Sequence, residues 1–220
     1  MVSVNGARRA RLSCALAGVV LLAMLPLPAV AAAFHGSLSS VDGGIVGTGN
    51  WLVTGPTTLE WWVTQNGDGS WHYKYVFSHP VGATSHFILE ASASIEEPDI
   101  FGILVGFTSF DIGSHLVQSG NPGMPESLFG IKFGGTAGIT TTIEFDCTRR
   151  PVWGDFYSKD GSAGGYGVNA AWNAGFTVAD TDPSDSPQDG TVGGHTLVPD
   201  TVSTAPVRAV TWTSVKAMYR

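Results

Sequence analysis

Residues 58–64 (TLEWWVT), 66–70 (NGDGS) and 71–77 (WHYKYVF) decide how this chain folds. In the first run Leu59, Trp61 and Val63 fall on one side of an extended backbone, with Glu60, Trp62 and Thr64 on the other. In the second run Trp71, Tyr73, Tyr75 and Phe77 share a side, opposite His72, Lys74 and Val76. Side chains alternate across a strand with a period of two, so each run has one apolar face to bury and one face to wet. The Asn-Gly and Asp-Gly pairs between the runs supply the backbone freedom that a tight reversal needs. Together the three pieces predict an antiparallel hairpin.

Working outward, further strands are expected at 85–92 (SHFILEAS), 100–107 (IFGILVGF), 127–133 (SLFGIKF), 139–147 (ITTTIEFDC) and 152–157 (VWGDFY). Gly- and Pro-rich connectors such as 119–125 and 159–165 separate them. No window from 34 to 178 carries a capped apolar stripe of helical period. Many short strands punctuated by turns imply an all-β fold, an antiparallel β-sandwich of jelly-roll-like kind. The expected β-sandwich domain is 34–178. From 179 onward the composition turns acidic and polar without apolar periodicity, so 179–220 reads as a solvated loop and C-terminal tail.

The first 33 residues read differently. Arg8, Arg9 and Arg11 precede an apolar core at 15–25, which Pro26 and Pro28 terminate, and small residues follow at 29–31 and 31–33. That is the pattern of a cleavable signal peptide, handled by signal peptidase during export. A membrane span needs roughly 20 apolar residues, so an interrupted core of this length is not a stable anchor. The expected location is secreted or cell surface.

Three of the eleven basic residues and none of the eighteen acids lie in this leader, which leaves the mature chain at a formal charge of −10. Such a chain repels phosphate backbones, so nucleic acid is excluded as a partner. Cys14 leaves with the leader, and Cys147 remains as a lone thiol in an alternating apolar run, where burial is expected.

Motifs that fix chemistry are scarce. The six histidines have no metal-binding spacing, no nucleophile elbow occurs, and no catalytic residue is assigned. Glu60, paired with Glu90 or Glu144, is the one carboxylate combination suited to a glycan-cleaving jelly roll, provided the two groups stand at glycosidase separation. The seven tryptophans mainly fill a core, with Trp62, beside Glu60, the candidate exposed ring for carbohydrate binding. Asp180, Asp182, Asp185 and Asp189 offer hard oxygen ligands for calcium, against the plainer reading of a solvated acidic linker.

Several separated segments share a resemblance: 85–92 (SHFILEAS), 120–133 (GNPGMPESLFGIKF), 149–161 (RRPVWGDFYSKDG), 171–176 (AWNAGF) and 195–201 (HTLVPDT). Together they resemble exported bacterial proteins of the PEP-CTERM class, which are substrates of exosortase sorting. The resemblance implies export and sorting toward the cell surface or extracellular matrix of bacteria that make exopolysaccharide, and it implies no catalytic residues; the leading expectation is a non-enzymatic surface or matrix β-sandwich. Exopolysaccharide is the partner it suggests. Exosortase is a partner only where a sorting tail exists, and the stretch after Thr201 (VSTAPVRAVTWTSVKAMYR) lacks the apolar helix and basic cluster of that class. The expectation is a shifted reading frame after Thr201 or a lost sorting tail.

Overall fold

The expected hairpin forms in a computed structural model of the chain, which describes residues 31–117, 120–135, 138–164, 167–177 and 182–199. Its arms are β3 (Thr58–Gln65) and β4 (Trp71–Ser78), paired antiparallel from Thr58↔Ser78 to Gln65↔Trp71. The reversal is closed by the Asn66 amide donating to the Ser70 carbonyl at 2.8 Å and the Ser70 amide donating to Asp68 Oδ1 at 3.0 Å.

Three more strands complete this first sheet: β1 (Ala33–Ser39) beside β3, β9 (Thr140–Cys147) beside β4, and β6 (Ile100–Val105) at the far edge. The second sheet runs in the order β2 (Ile45–Gly47), β12 (Gly167–Asn173), β11 (Phe156–Gly164), β5 (Thr84–Glu90), β8 (Leu128–Gly134) and β7 (Ser109–His115). Every pairing is antiparallel, and the two sheets pack against each other as a β-sandwich. Among the described residues, helix is confined to the short α1 (Asn50–Val53) and a 3-10 turn at Glu97–Asp99. None of the described helices is long and apolar enough to cross a membrane.

The inward faces are aromatic. Tyr75 and Phe77 of the first sheet meet Phe87 of the second at ring-centroid distances of 6.2 and 5.7 Å, and Phe145 meets Phe133 at 5.4 Å. Each such pair adds about 0.5–1.5 kcal/mol beyond the area it buries. The phenol groups carried into this core find acceptors: Tyr73 donates to the Arg149 carbonyl at 2.9 Å and Tyr75 to the Leu197 carbonyl at 2.7 Å. Cys147 is fully buried, as expected, and burial pushes its thiol up to about 12.

Two expectations change. The run 152–157 is two strands, because the chain leaves β10 (Pro151–Gly154), turns at Asp155 and joins the second sheet as β11. The segment after 179 is also more than tail. Residues 182–195 lack regular structure, but β13 (Thr196–Pro199) then pairs antiparallel with β10, and all four of its residues are buried. Leu197 and Val198 belong to the main core, so their apolar area outweighs the acidic context that precedes them. Of the expected leader, 1–30 lie outside the described residues, and β1 begins at Ala33; the stretch from 200 onward also lies outside them.

One buried charge anchors a loop. The Arg149 side chain, 5% exposed, donates through Nε and Nη2 to Asp99 Oδ2 at 3.1 and 2.8 Å. Its other donors reach Ser94 Oγ at 3.1 Å and the Ser94 carbonyl at 2.5 Å. Asp99 also accepts from Thr148 Oγ1 and from the Glu96 amide. Burial alone would raise the Asp99 carboxyl, yet these hydrogen bonds and the guanidinium hold it below its ordinary value.

Candidate functional site

Because β3, β4 and β9 bury alternate residues, their remaining side chains form one solvent-facing surface. Register places His35, Trp62, Lys74 and Glu144 in a single row across β1, β3, β4 and β9. His35 stacks on Trp62 at 4.9 Å between centroids with the planes 17° apart, and Lys74 Nζ lies 5.9 Å from the Trp62 ring centroid. Lys74 Nζ stands 3.7 Å from Glu144 Oε2. His72 bridges two acids, with Nε2 3.3 Å from Glu144 Oε1 and Nδ1 2.7 Å from Asp146 Oδ1.

This arrangement answers the first two expectations. Trp62 is half-buried on the outer face, but its indole is flanked in register by His35 on one strand and Lys74 on the other, so it presents little free ring for stacking. Glu60 is exposed on the same face and opposite Val76, whereas Glu144 is opposite Lys74 with β4 between them. Sheet spacings put the two backbones about 12 Å apart. Glu90 lies in the second sheet, where Oε2 accepts the Asp155 amide at 2.8 Å. Glu90 is thus in the other sheet from Glu60, and the Glu144 carboxylate is engaged by His72 and Lys74.

A better-formed concavity lies where β1, β4 and β10 begin. Phe34 and Trp71 stack with centroids 6.2 Å apart and planes within 15°. With Pro151, Val152 and Pro187 they floor a groove of about 450 Å³, and Arg150, Ser184, Asp185 and Ser186 supply its polar margin. That volume is in the range of small-ligand sites. Trp71 is 9% exposed and Phe34 half-buried, so the aromatic surface open to a ligand is mainly that of Phe34.

No known protein family, curated protein or solved structure matches the chain.

Of the four aspartates expected to offer calcium ligands, the three that are described meet different neighbours. Asp180 lies outside the described residues. Asp185 lines the groove, and Asp189 Oδ1 accepts the His35 amide at 2.9 Å, fastening the loop to β1. Asp182 instead approaches His195, with Oδ1 3.9 Å from Nε2. His79 stacks on Trp51 at 4.1 Å between ring centroids, and His86 Nε2 pairs with Asn121 Oδ1 at 3.0 Å.

Sequence reasoning missed the groove because its walls come from 34, 71, 150–152 and 184–187, four places without common spacing. The one local signal was the double change of pattern at Arg149-Arg150-Pro151, where two cations and a proline interrupt an alternating run.

Proposed function

We propose that this chain is an exported, non-enzymatic β-sandwich of the cell surface or extracellular matrix, and that it holds polysaccharide in the groove floored by Phe34 and Trp71. The observation that carries the reading is the stacked ring pair beneath a margin of Arg150, Asp185 and two serine hydroxyls. A sugar ring has an apolar face of C–H bonds and a rim of hydroxyls. Aromatic floor and hydrogen-bonding margin match those two parts. The formal charge of −10 favours neutral over strongly anionic polymers. Support for export comes from the leader pattern and from the resemblance to PEP-CTERM proteins.

Affinity electrophoresis and calorimetry against neutral polysaccharides test the binding. Phe34→Ala and Arg150→Ala are each expected to weaken binding by about tenfold, the loss typical of an interface anchor. Trp62→Ala and Glu60→Gln are expected to leave it unchanged. Equal binding by all four variants, or loss only in the Trp62 and Glu60 pair, overturns the groove assignment. Mass spectrometry of the secreted chain checks export, with a new N-terminus at Ala32 or Phe34 expected.

A further inference from the structure

Three side chains from separate parts of the chain meet on one side of the sandwich. Asp155 is the single residue between β10 and β11, His195 immediately precedes β13, and Asp182 lies in the connection leading to it. Their ligand atoms all stand within 4.8 Å of one another, and among the described residues they form the one such group of three.

The separations are informative. His195 Nε2 is 3.6 Å from Asp155 Oδ1 and 3.9 Å from Asp182 Oδ1. Both exceed the length of an N–H···O hydrogen bond, about 2.7–3.2 Å. Ligands held about 2.1 Å from a zinc ion at tetrahedral corners stand about 3.4 Å apart. The two ion-pair separations are thus close to the spacing of ligands around one ion.

Orientation agrees. His195 Nδ1 lies 3.2 Å from the Val192 carbonyl, which can only accept, so Nδ1 carries the hydrogen and Nε2 is turned to the carboxylates. A backbone carbonyl on one ring nitrogen is how a metal-binding histidine has its tautomer fixed. Asp155 is steadied in the same way. Asn173 Nδ2 donates to Asp155 Oδ1 at 2.5 Å, and Asn173 is itself fixed by the Phe156 amide donating to its Oδ1 at 2.9 Å. Gly175 lets bare backbone pack on the imidazole, since a Cβ there would stand 2.4 Å from His195 Cε1.

From these observations we propose that Asp155, Asp182 and His195 bind one divalent transition-metal ion, zinc by chemical class. Two carboxylates balance the charge of a dication. An imidazole with so few oxygens suits zinc, whereas calcium takes six to eight oxygen ligands. The His195 and Asp155 side chains are 7% and 3% exposed and Asp182 is 39% exposed, so water completes the shell on the Asp182 side. The ion joins the β10–β11 corner to the start of β13, which makes it a structural clasp. The proposal stands apart from the groove and from what fills it.

The test uses the tag-free chain, stripped with a chelator and titrated with zinc, while binding and thermal unfolding are followed. One equivalent of zinc is expected, with a rise in Tm of several degrees, and cobalt in its place should show visible d–d absorption. Asp182→Asn is the decisive variant because its position is partly exposed. In chelator its Tm should lie within about 2 °C of the parent, while zinc affinity falls about tenfold or more. His195→Gln should abolish the zinc-dependent shift, and its melt in chelator reports whether it folds. Zinc binding well below one equivalent, an unchanged Tm, full affinity in Asp182→Asn, or a response to calcium alone would each overturn the proposal.

Discussion

Replacing Arg149 by alanine removes a guanidinium that makes two hydrogen bonds to Asp99 and two to Ser94 from a nearly buried position. What remains is a carboxylate at the foot of the loop with its counter-charge gone. Breaking one partner out of a buried pair costs about 3–5 kcal/mol. The Asp99 side chain is 17% exposed, so water reaches it and the lower end, about 3 kcal/mol, applies. For a chain of this size that corresponds to a Tm lower by about 6–12 °C. Urea unfolding followed by tryptophan fluorescence at neutral pH measures it directly. Asp99→Asn keeps the shape and loses the charge, for about 1.5–3 kcal/mol. The double variant should lose clearly less than the two single losses combined, because the second change removes the stranded charge left by the first. The folded carboxyl of Asp99 is held below its ordinary value, so its contribution is present above an unfolded pKa of about 3.9 and disappears as pH falls through the folded value. A loss under about 1 kcal/mol for Arg149→Ala, or additive losses in the double variant, would refute this reasoning.

Three other outcomes are expected. Burial, followed by the charges of Lys132 and Lys159, pulls His86 down to about 3, so the unfolded chain binds a proton that the folded imidazole refuses; stability should fall as pH drops from 6.5 toward 3, and His86→Gln should flatten that slope in urea titrations. Cys147 should resist a thiol reagent in the native protein and react promptly in denaturant; rapid native labelling would contradict its burial. Leu197→Ala should cost about 2–5 kcal/mol, as a core leucine does, whereas a loss under 0.5 kcal/mol would return 196–199 to the status of a tail.

The alternation of β3, β4 and β9 was legible because each strand has one face in the core and one in water, which writes a period of two into the sequence. Elsewhere the pattern failed for identifiable reasons. β1 hides beside the leader and carries Gly36, where a Cβ would stand 2.3 Å from the Trp61 ring, so packing demands a residue with no strand preference. In β12 the buried positions are Asn169, Ala170, Ala171 and Asn173, small or polar residues that write no apolar alternation. β13 is four residues long, below the length at which alternation can be read. The groove and the Asp155–Asp182–His195 cluster were unreadable because each is assembled from separated segments, largely connections, that meet only after folding. Local motifs report chemistry only when the ligands share one element.

The place of β13 sets an order on maturation. Its Leu197 carbonyl receives the Tyr75 hydroxyl and Leu197 and Val198 join the main core, so that core is complete only once residue 199 is available. Long-range pairings of this kind are slow to form. A polypeptide whose final described strand arrives so late closes its interior only after nearly all of the described chain is in place.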